Sequence, residues 1–342
     1  TSTKISIFEE ENEVFKTNLV HHAADLAPYA HVIDQGPFRK QLILETVEKA
    51  GYQMTDFDAV CGRGGLLRHI PSGTYAVSDQ AIADVLDPPY GEHASNLGVL
   101  LARELGDMAG IPSFFVDPVC VDEMTPVAHV TGFKGMERES FFHALNQKSI
   151  ARKAAKLLGK TYEEARLIVI HMGGGVSVAA HENGLAVDDF NVKDEGAFGM
   201  DRAGSLPVNA MINLCFSGLT KQEVKKLLGS EAGAYSYVGT KDFREVERRA
   251  FEENDPDCRM VFDAMAYQLA KDIGAMAAVL KFQVDAIVYT GGMAYSDRFT
   301  QAITDYVGNL APVLRLPGEE EMRSLAEGAL RVLHGEQAKV YP

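Results

Sequence analysis

One order of segments is written twice in this chain, and that repetition limits the folds open to it. Residues 4–8 alternate as a strand, 9–12 form a polar turn and 13–19 a second extended run, which together predict a hairpin. Near the middle, residues 176–180 alternate, His181-Glu182-Asn183-Gly184 closes a turn of the Asn-Gly type, and 185–190 return. Each hairpin leads into helix, strand, helix, strand, helix. In the first half these fall at 37–50, 58–62, near 94–109, 111–116 and 141–158. In the second they fall at roughly 261–282, 285–289, near 297–310, 311–316 and 321–333, with Met265, Leu269, Ile273, Met276 and Leu280 on one helical stripe. Two copies of one order predict two similar α/β domains, each with a mixed sheet, facing one another across a cleft.

Ligands in such sheets bind where strands end in loops. The run Ile168-Val169-Ile170-His171-Met172-Gly173-Gly174-Gly175-Val176-Ser177-Val178 joins two strands through three glycines. Glycine lets backbone N–H groups approach an anion, and His171 supplies a donor at the strand end, so the run reads as a phosphate-holding turn. A tight hairpin with no ligand is the competing reading. The clusters Gly62-Arg63-Gly64-Gly65 and Thr290-Gly291-Gly292 also close strands, which points all three at one cleft.

At 342 residues and 46% apolar content the chain has material for two cores. Its net charge of −15 argues against nucleic acid or an anionic membrane surface as partner, while leaving a locally bound phosphate open. Cys61, Cys120, Cys215 and Cys258 form no C-x-x-C pair, which indicates neither zinc nor a disulfide scaffold and fits a reducing cytoplasm. Neither a long apolar span nor an export signal is read. Gly159-Lys160-Thr161 lacks the first glycine and the strand of a phosphate loop, and Gly173-x-Gly175 lacks the third glycine of a dinucleotide fingerprint. Metalloprotease, serine hydrolase and protein kinase motifs are not found.

The segments Gly62-Arg63-Gly64-Gly65-Leu66-Leu67, Ser72-Gly73-Thr74-Tyr75-Ala76-Val77, His93-Ala94-Ser95-Asn96-Leu97-Gly98, Val116-Asp117-Pro118, Phe142-His143-Ala144-Leu145-Asn146-Gln147-Lys148, His171-Met172-Gly173-Gly174-Gly175 and Thr290-Gly291-Gly292-Met293-Ala294-Tyr295 run in order over essentially the whole chain. With them the chain resembles the acetate and sugar kinase, Hsp70 and actin superfamily, and within it the butyrate kinases. The resemblance implies two duplicated ribonuclease H-like domains of the actin-like ATPase fold, with an acyl-substrate domain at 1–145, onto which 325–342 pack back, and a nucleotide-binding domain at 146–324. The family begins with a strand ending in Asn-Pro-Gly-Ser before the counterpart of Thr1-Ser2-Thr3-Lys4, and the sequence starts after that strand and half of its phosphate loop. The run 194–204 is shorter than its family counterpart but keeps Arg202.

What the resemblance implies about function is transfer of the γ-phosphoryl of ATP to the carboxylate of butyrate or a similar acid, with Mg²⁺. By motif, Arg63 and Arg202 clamp the carboxylate or the transferring phosphoryl, His143 aims a donor at that phosphoryl and His171 lies beside the ATP phosphates. Gly173, Gly174 and Gly175 cradle the β- and γ-phosphates, Gly291 and Gly292 let adenosine lie against backbone, and Lys4 belongs to the first phosphate loop. Asp117 organises Mg²⁺ through water, with Glu321 or Glu320 contributing. His93 sits on the substrate side, and Leu66, Leu67 and Val77 line an apolar acyl pocket near Arg63. An acetate, propionate or sugar kinase and a non-catalytic ATP-binding scaffold of the actin type are the rivals. The expected partners are ATP, a small carboxylic acid and further copies of the chain in a homo-oligomer.

Overall fold

The computed structural model describes residues 2–342. Along the chain it contains β1 (Ser2–Glu9), β2 (Asn12–Val20), α1 (Ala23–Leu26), α2 (Gly36–Lys49), β3 (Val60–Arg63), β4 (Thr74–Ala76), α3 (Asp79–Leu86), α4 (Asn96–Ala109) and β5 (Ser113–Val116). There follow α5 (Ala144–Leu157), β6 (Leu167–Met172), β7 (Val176–Glu182), β8 (Leu185–Asp189), α6 (Val208–Cys215), α7 (Lys221–Ser230), α8 (Gly233–Val238), α9 (Phe243–Phe251) and α10 (Pro256–Val279). The chain ends with β9 (Ala286–Thr290), α11 (Asp297–Val307), β10 (Val313–Arg315) and α12 (Glu321–Leu333). The fold is α/β with mixed sheets, as the repeated order predicts, and it divides into two units. One comprises the chain up to Asp122 with Ala144–Asn146 and Glu320–Pro342; the other comprises Glu123–His143 and Gln147–Glu319.

The second unit is built on the sheet order β10-β9-β6-β7-β8, in which β6 pairs parallel with β9 and antiparallel with β7. Both faces of this sheet are covered, which is why β6 is buried at every position. Ile168, Ile170 and Met172 join the core made with α10 and α11, whereas Leu167 and Val169 pack on Ile150, Ala151 and Ala154 of α5. β7 alternates in step: Val176, Val178 and Ala180 enter the α10 core, which leaves Ser177, Ala179 and His181 on the α5 face. α10 starts earlier than its apolar stripe, at Pro256, because the Asp255 carboxylate accepts the Asp257 and Cys258 N–H groups. It stops at Val279, before Lys281 and Phe282 take positive φ.

In the first unit β3 and β4 flank β5, β3 parallel and β4 antiparallel, while β1 and β2 form a separate two-stranded sheet. The pairs β5-β3 and β1-β2 repeat the two flanks of the five-stranded order. A groove of about 1290 Å³ is lined by β1, β3, α4 and α12. Leu325 of α12 packs on Val116 of β5. Gly62 of β3 and Gly98 of α4 have a packing role: a Cβ on Gly62 would stand 1.9 Å from the Gly98 oxygen, and one on Gly98 2.2 Å from the Arg63 oxygen. Only two bare backbones fit this crossing.

Three expectations change. Arg63 is the last residue of β3, Cα-paired with Val116, not a loop residue after the strand. The helix expected at 141–158 begins only at Ala144, because Phe141 and Phe142 are buried and His143 takes a non-helical ψ of 60°. The tract 208–251 and the segment 74–86 carry elements that the sequence reading left blank.

Gly62→Ala is expected to destabilise the protein by about 1–3 kcal/mol through overpacking. Gly274→Ala in α10, where a Cβ meets nothing within 4 Å, is expected to be neutral or to stabilise by up to about 1 kcal/mol. Thermal melts followed by circular dichroism read both.

Candidate active site

The antiparallel register sets His171 opposite Ser177 across the β6–β7 turn. That turn is Gly173–Gly175, closed by the Gly173 N–H donating to the Gly175 carbonyl at 3.0 Å. Gly174 is exposed, with open space where a side chain would stand. A Cβ on Gly175 would lie 3.2 Å from Arg202 Nη1 and 3.4 Å from His143 Cε1, so the guanidinium and the imidazole flank the turn on a bare backbone. The His143 and His171 rings stack with centroids 3.9 Å apart and 17° between planes. His171 is buried, and its Nε2 lies 3.5 Å from Glu319 Oε1. Arg202 Nη1 points to the Val192 carbonyl at 3.4 Å, a long contact that leaves the fork available to an anion.

Thus five of the expected residues, His143, His171, Gly173, Gly175 and Arg202, meet around one turn within one unit, with Gly174 at its tip. Gly291 has a different reason to be glycine. Its φ is 85°, a Cβ there would stand 2.4 Å from the Met172 oxygen, and its N–H bonds the Gly318 carbonyl at 3.1 Å. Close approach to β6 sets that residue type; Gly292 beside it is exposed.

A polar chain missed by sequence reading runs behind His143. Ser177 Oγ lies 2.8 Å from His143 Nδ1, and Gln147 Nε2 donates to Ser177 Oγ at 2.8 Å and to the Ser177 carbonyl at 3.1 Å. Gln147 Oε1 faces His181 Nε2 at 3.1 Å, and His181 Nδ1 faces the Tyr162 hydroxyl at 2.8 Å. Lys148, fully buried, pairs with Glu123 at 2.5 Å beside it. The only advance sign of this chain was two polar residues, Ser177 and His181, at buried positions of β7, which is otherwise apolar up to its terminal Glu182. Arg138 was likewise unread. It forks onto both Glu195 oxygens at 2.9 Å and onto Asp188 at 2.8 Å, bracing the segment that leads to Arg202.

In the first unit, Arg63 Nη1 reaches Glu321 Oε1, at the start of α12, at 3.1 Å, and Lys4 Nζ lies 3.8 Å from the other oxygen. Lys4 is therefore a β1 residue in register with Asn18, rather than part of a loop. Arg63, Glu321, Lys4 and His93 all line the groove between β1 and β3. His93 Nδ1 bonds Ser95 Oγ at 2.7 Å at the head of α4. Leu67 and Val77 are core residues, 0% and 8% exposed, and neither they nor Leu66 line the groove that holds Arg63. Asp117 is buried with φ 39°, and its Oδ1 accepts the Gly73 N–H at 2.6 Å. Among the described residues no group of three His, Cys, Asp or Glu side chains could hold a metal ion, so no protein-built metal cage is on offer.

The chain matches the Acetokinase family over residues 133–313. Its fold is similar to that of acetate kinase from Porphyromonas gingivalis, with TM-score 0.76 at 21% identity, covering 93% of this chain and 88% of that one. A propionate kinase from Francisella tularensis subsp. tularensis SCHU S4 gives TM-score 0.68 at 17% identity over 91% and 86% of the two chains. Acetate kinase from Entamoeba histolytica gives 0.69 at 15% over 87% and 85%.

Burial, reinforced by the Lys148 charge, holds the His181 imidazole down at about 3, from an ordinary 6.5. The unfolded chain therefore takes up a proton there that the folded one refuses. His181's contribution is fully present above pH 6.5 and lost as pH falls toward 3. Urea unfolding across that window is expected to show a shallower loss of stability with acid in His181→Gln than in the parent protein.

Proposed function

Because the chain belongs to the acetokinase family, whose match spans residues 133–313, we propose that it reversibly transfers the γ-phosphoryl of ATP to the carboxylate of butyrate or a similar short or branched-chain fatty acid. The products are an acyl phosphate and ADP. The observation that carries this reading is the gathering of His143, His171 and Arg202 around the open Gly173–Gly175 turn, all inside the family-matched segment.

In the transfer a carboxylate oxygen bonds to the γ-phosphorus as the bond to the β–γ bridging oxygen breaks, and ADP leaves with that electron pair. Charge gathers on the equatorial oxygens, so rigid donors beside them lower the barrier. Backbone N–H groups of Gly174 and Gly175 hold the nucleotide phosphates with His171, in a turn that Gly173 closes with its own N–H, and Gly291 and Gly292 lie on the adenosine side. His143 and Arg202 donate to the moving phosphoryl. Arg63 takes the carboxylate with His93 nearby, exchanging its single contact to Glu321 for a two-point pair with the substrate. Magnesium enters with the nucleotide as MgATP and keeps most of its waters, so it needs few protein carboxylates; Asp117 and Glu321 are the candidates to meet those waters. The acid side falls to the first unit, close to the 1–145 with 325–342 expected from the sequence, and the nucleotide side to the second, which also takes in Glu123–His143.

The family and its solved relatives support acetate or propionate as acceptor equally well. One methylene changes binding by only about 1 kcal/mol, so neighbouring acids overlap. A homo-oligomer in the cytoplasm completes the reading: the four cysteines are free thiols, and no described helix is long and apolar enough to cross a membrane.

The test is acyl-phosphate formation, trapped as hydroxamate, with MgATP and acetate, propionate, butyrate, isobutyrate or a hexose. Turnover of the acids, strongest with butyrate or isobutyrate, and none of the hexose is expected. Arg202→Ala is expected to lower kcat by about 10²–10³-fold, the usual cost of one lost donor at a developing charge. Silence with every acid from protein that binds ATP overturns the reading in favour of a binding scaffold.

A further inference from the structure

The donors and acceptors of Gln147, His181 and Ser177 behind His143 can be assigned one by one. A carbonyl oxygen only accepts, so the atom of Gln147 that faces the Ser177 carbonyl at 3.1 Å is the amide nitrogen. Gln147 Oε1 must then accept, and it draws the His181 proton onto Nε2. His181 Nδ1 is left as an acceptor and takes the Tyr162 hydroxyl proton. At the other end, Ser177 Oγ receives the Gln147 Nε2–H at 2.8 Å and the His143 backbone N–H at 3.3 Å, which fills both of its acceptor positions. Its one proton goes to His143 Nδ1 at 2.8 Å. The side-chain bonds that link Tyr162, His181, Gln147, Ser177 and His143 thus all donate one way, toward His143.

We propose that Ser177, Gln147 and His181 are positioning residues that fix His143 as its Nε2–H tautomer, so that the ring offers a donor on the edge beside Gly175. Ring rotation is blocked by the stack on His171, and translation by the start of α5, for which His143 is the N-cap. The fold supplies the chain directly. Ser177 and His181 are four apart on the α5 face of β7, and the Gln147 side chain spans them from the first turn of α5. Gln147, Ser177 and His181 are all buried, so water does not compete for these bonds. The low affinity of His181 for a second proton keeps its Nδ1 free to accept.

The role of His143 in phosphoryl transfer rests on the function proposed above; the tautomer does not. Two readouts therefore separate the claims. Long-range ¹H–¹⁵N correlation spectra of histidine-labelled protein, with His143 assigned by the resonance lost in His143→Asn, read the tautomer without substrate. A pyrrole-type Nε2 and a pyridine-type Nδ1 are expected. Ser177→Ala is expected to mix the tautomers and Ser177→Thr to restore the single one. In the hydroxamate assay Ser177→Ala is expected to lose roughly tenfold in kcat, less than removal of a donor itself, with KM for acid and ATP within about twofold and kcat recovered in Ser177→Thr. A pyridine-type Nε2 on His143, or a Ser177→Ala spectrum unchanged from the parent, overturns the proposal whatever the activity. Inactivity of the parent protein on every acid, with the expected spectrum, leaves the tautomer standing and removes the function.

Discussion

The antiparallel pairing of β6 with β7 is the constraint on which the rest of the candidate site depends. Its register puts His171 across from Ser177, and its three-glycine turn leaves backbone bare between them. A slip of one residue would turn every side chain of β7 to the opposite face. Val176 and Val178 would then leave the α10 core, and Ser177 and His181 would enter it without partners. The apolar face therefore holds the polar face in place. The energy that fixes the register is hydrophobic, while the consequence that matters for chemistry is polar.

The same economy operates in the first unit. The bare crossing of Gly62 and Gly98 lets β3 lie on α4 and brings Arg63 to the strand end over the groove. Glu321, first residue of α12, then meets Arg63. The pair is half-buried, with a single contact at 3.1 Å, and under the proposed function the arginine exchanges that contact for the substrate. By contrast the Lys148–Glu123 pair is fully enclosed and costly to break. One charge pair is built to open and the other to stay shut.

The sequence made a good part of this legible. The repeated order of hairpin, helix and strand appears in both units, the strand pair around Gly173–Gly175 is where alternation put it, and α12 has the bounds read from its pattern. Glycine was the ambiguous letter. At Gly175 it leaves room for His143 and Arg202; at Gly62 and Gly291 the same residue answers to backbone packing alone. Lys4 stands in the strand its alternation indicates, while Arg63 lies one residue beyond the strand read at 58–62, because a strand end carries too few residues to show a period. Leu67 and Val77, apolar and outside β3, are core residues, since the same apolar side chain serves a core or a pocket wall and a short segment does not say which. Tyr162 and Arg138 carried no local signal, and Gln147 was legible only as a motif letter without a role; the partners that give each its role lie 19 or more positions away.

The central claim is that the His143–Arg202 cluster stabilises charge on a phosphoryl group moving to a carboxylate. Enzymes bind mimics of that state far more tightly than substrates. Calorimetric titration of ADP with magnesium and aluminium fluoride, in the presence and absence of butyrate, addresses the claim directly. The account predicts that the acid tightens binding of the mimic by at least about tenfold and that Arg202→Ala abolishes the gain. Equal binding with and without acid, or a gain untouched by Arg202→Ala, would contradict it.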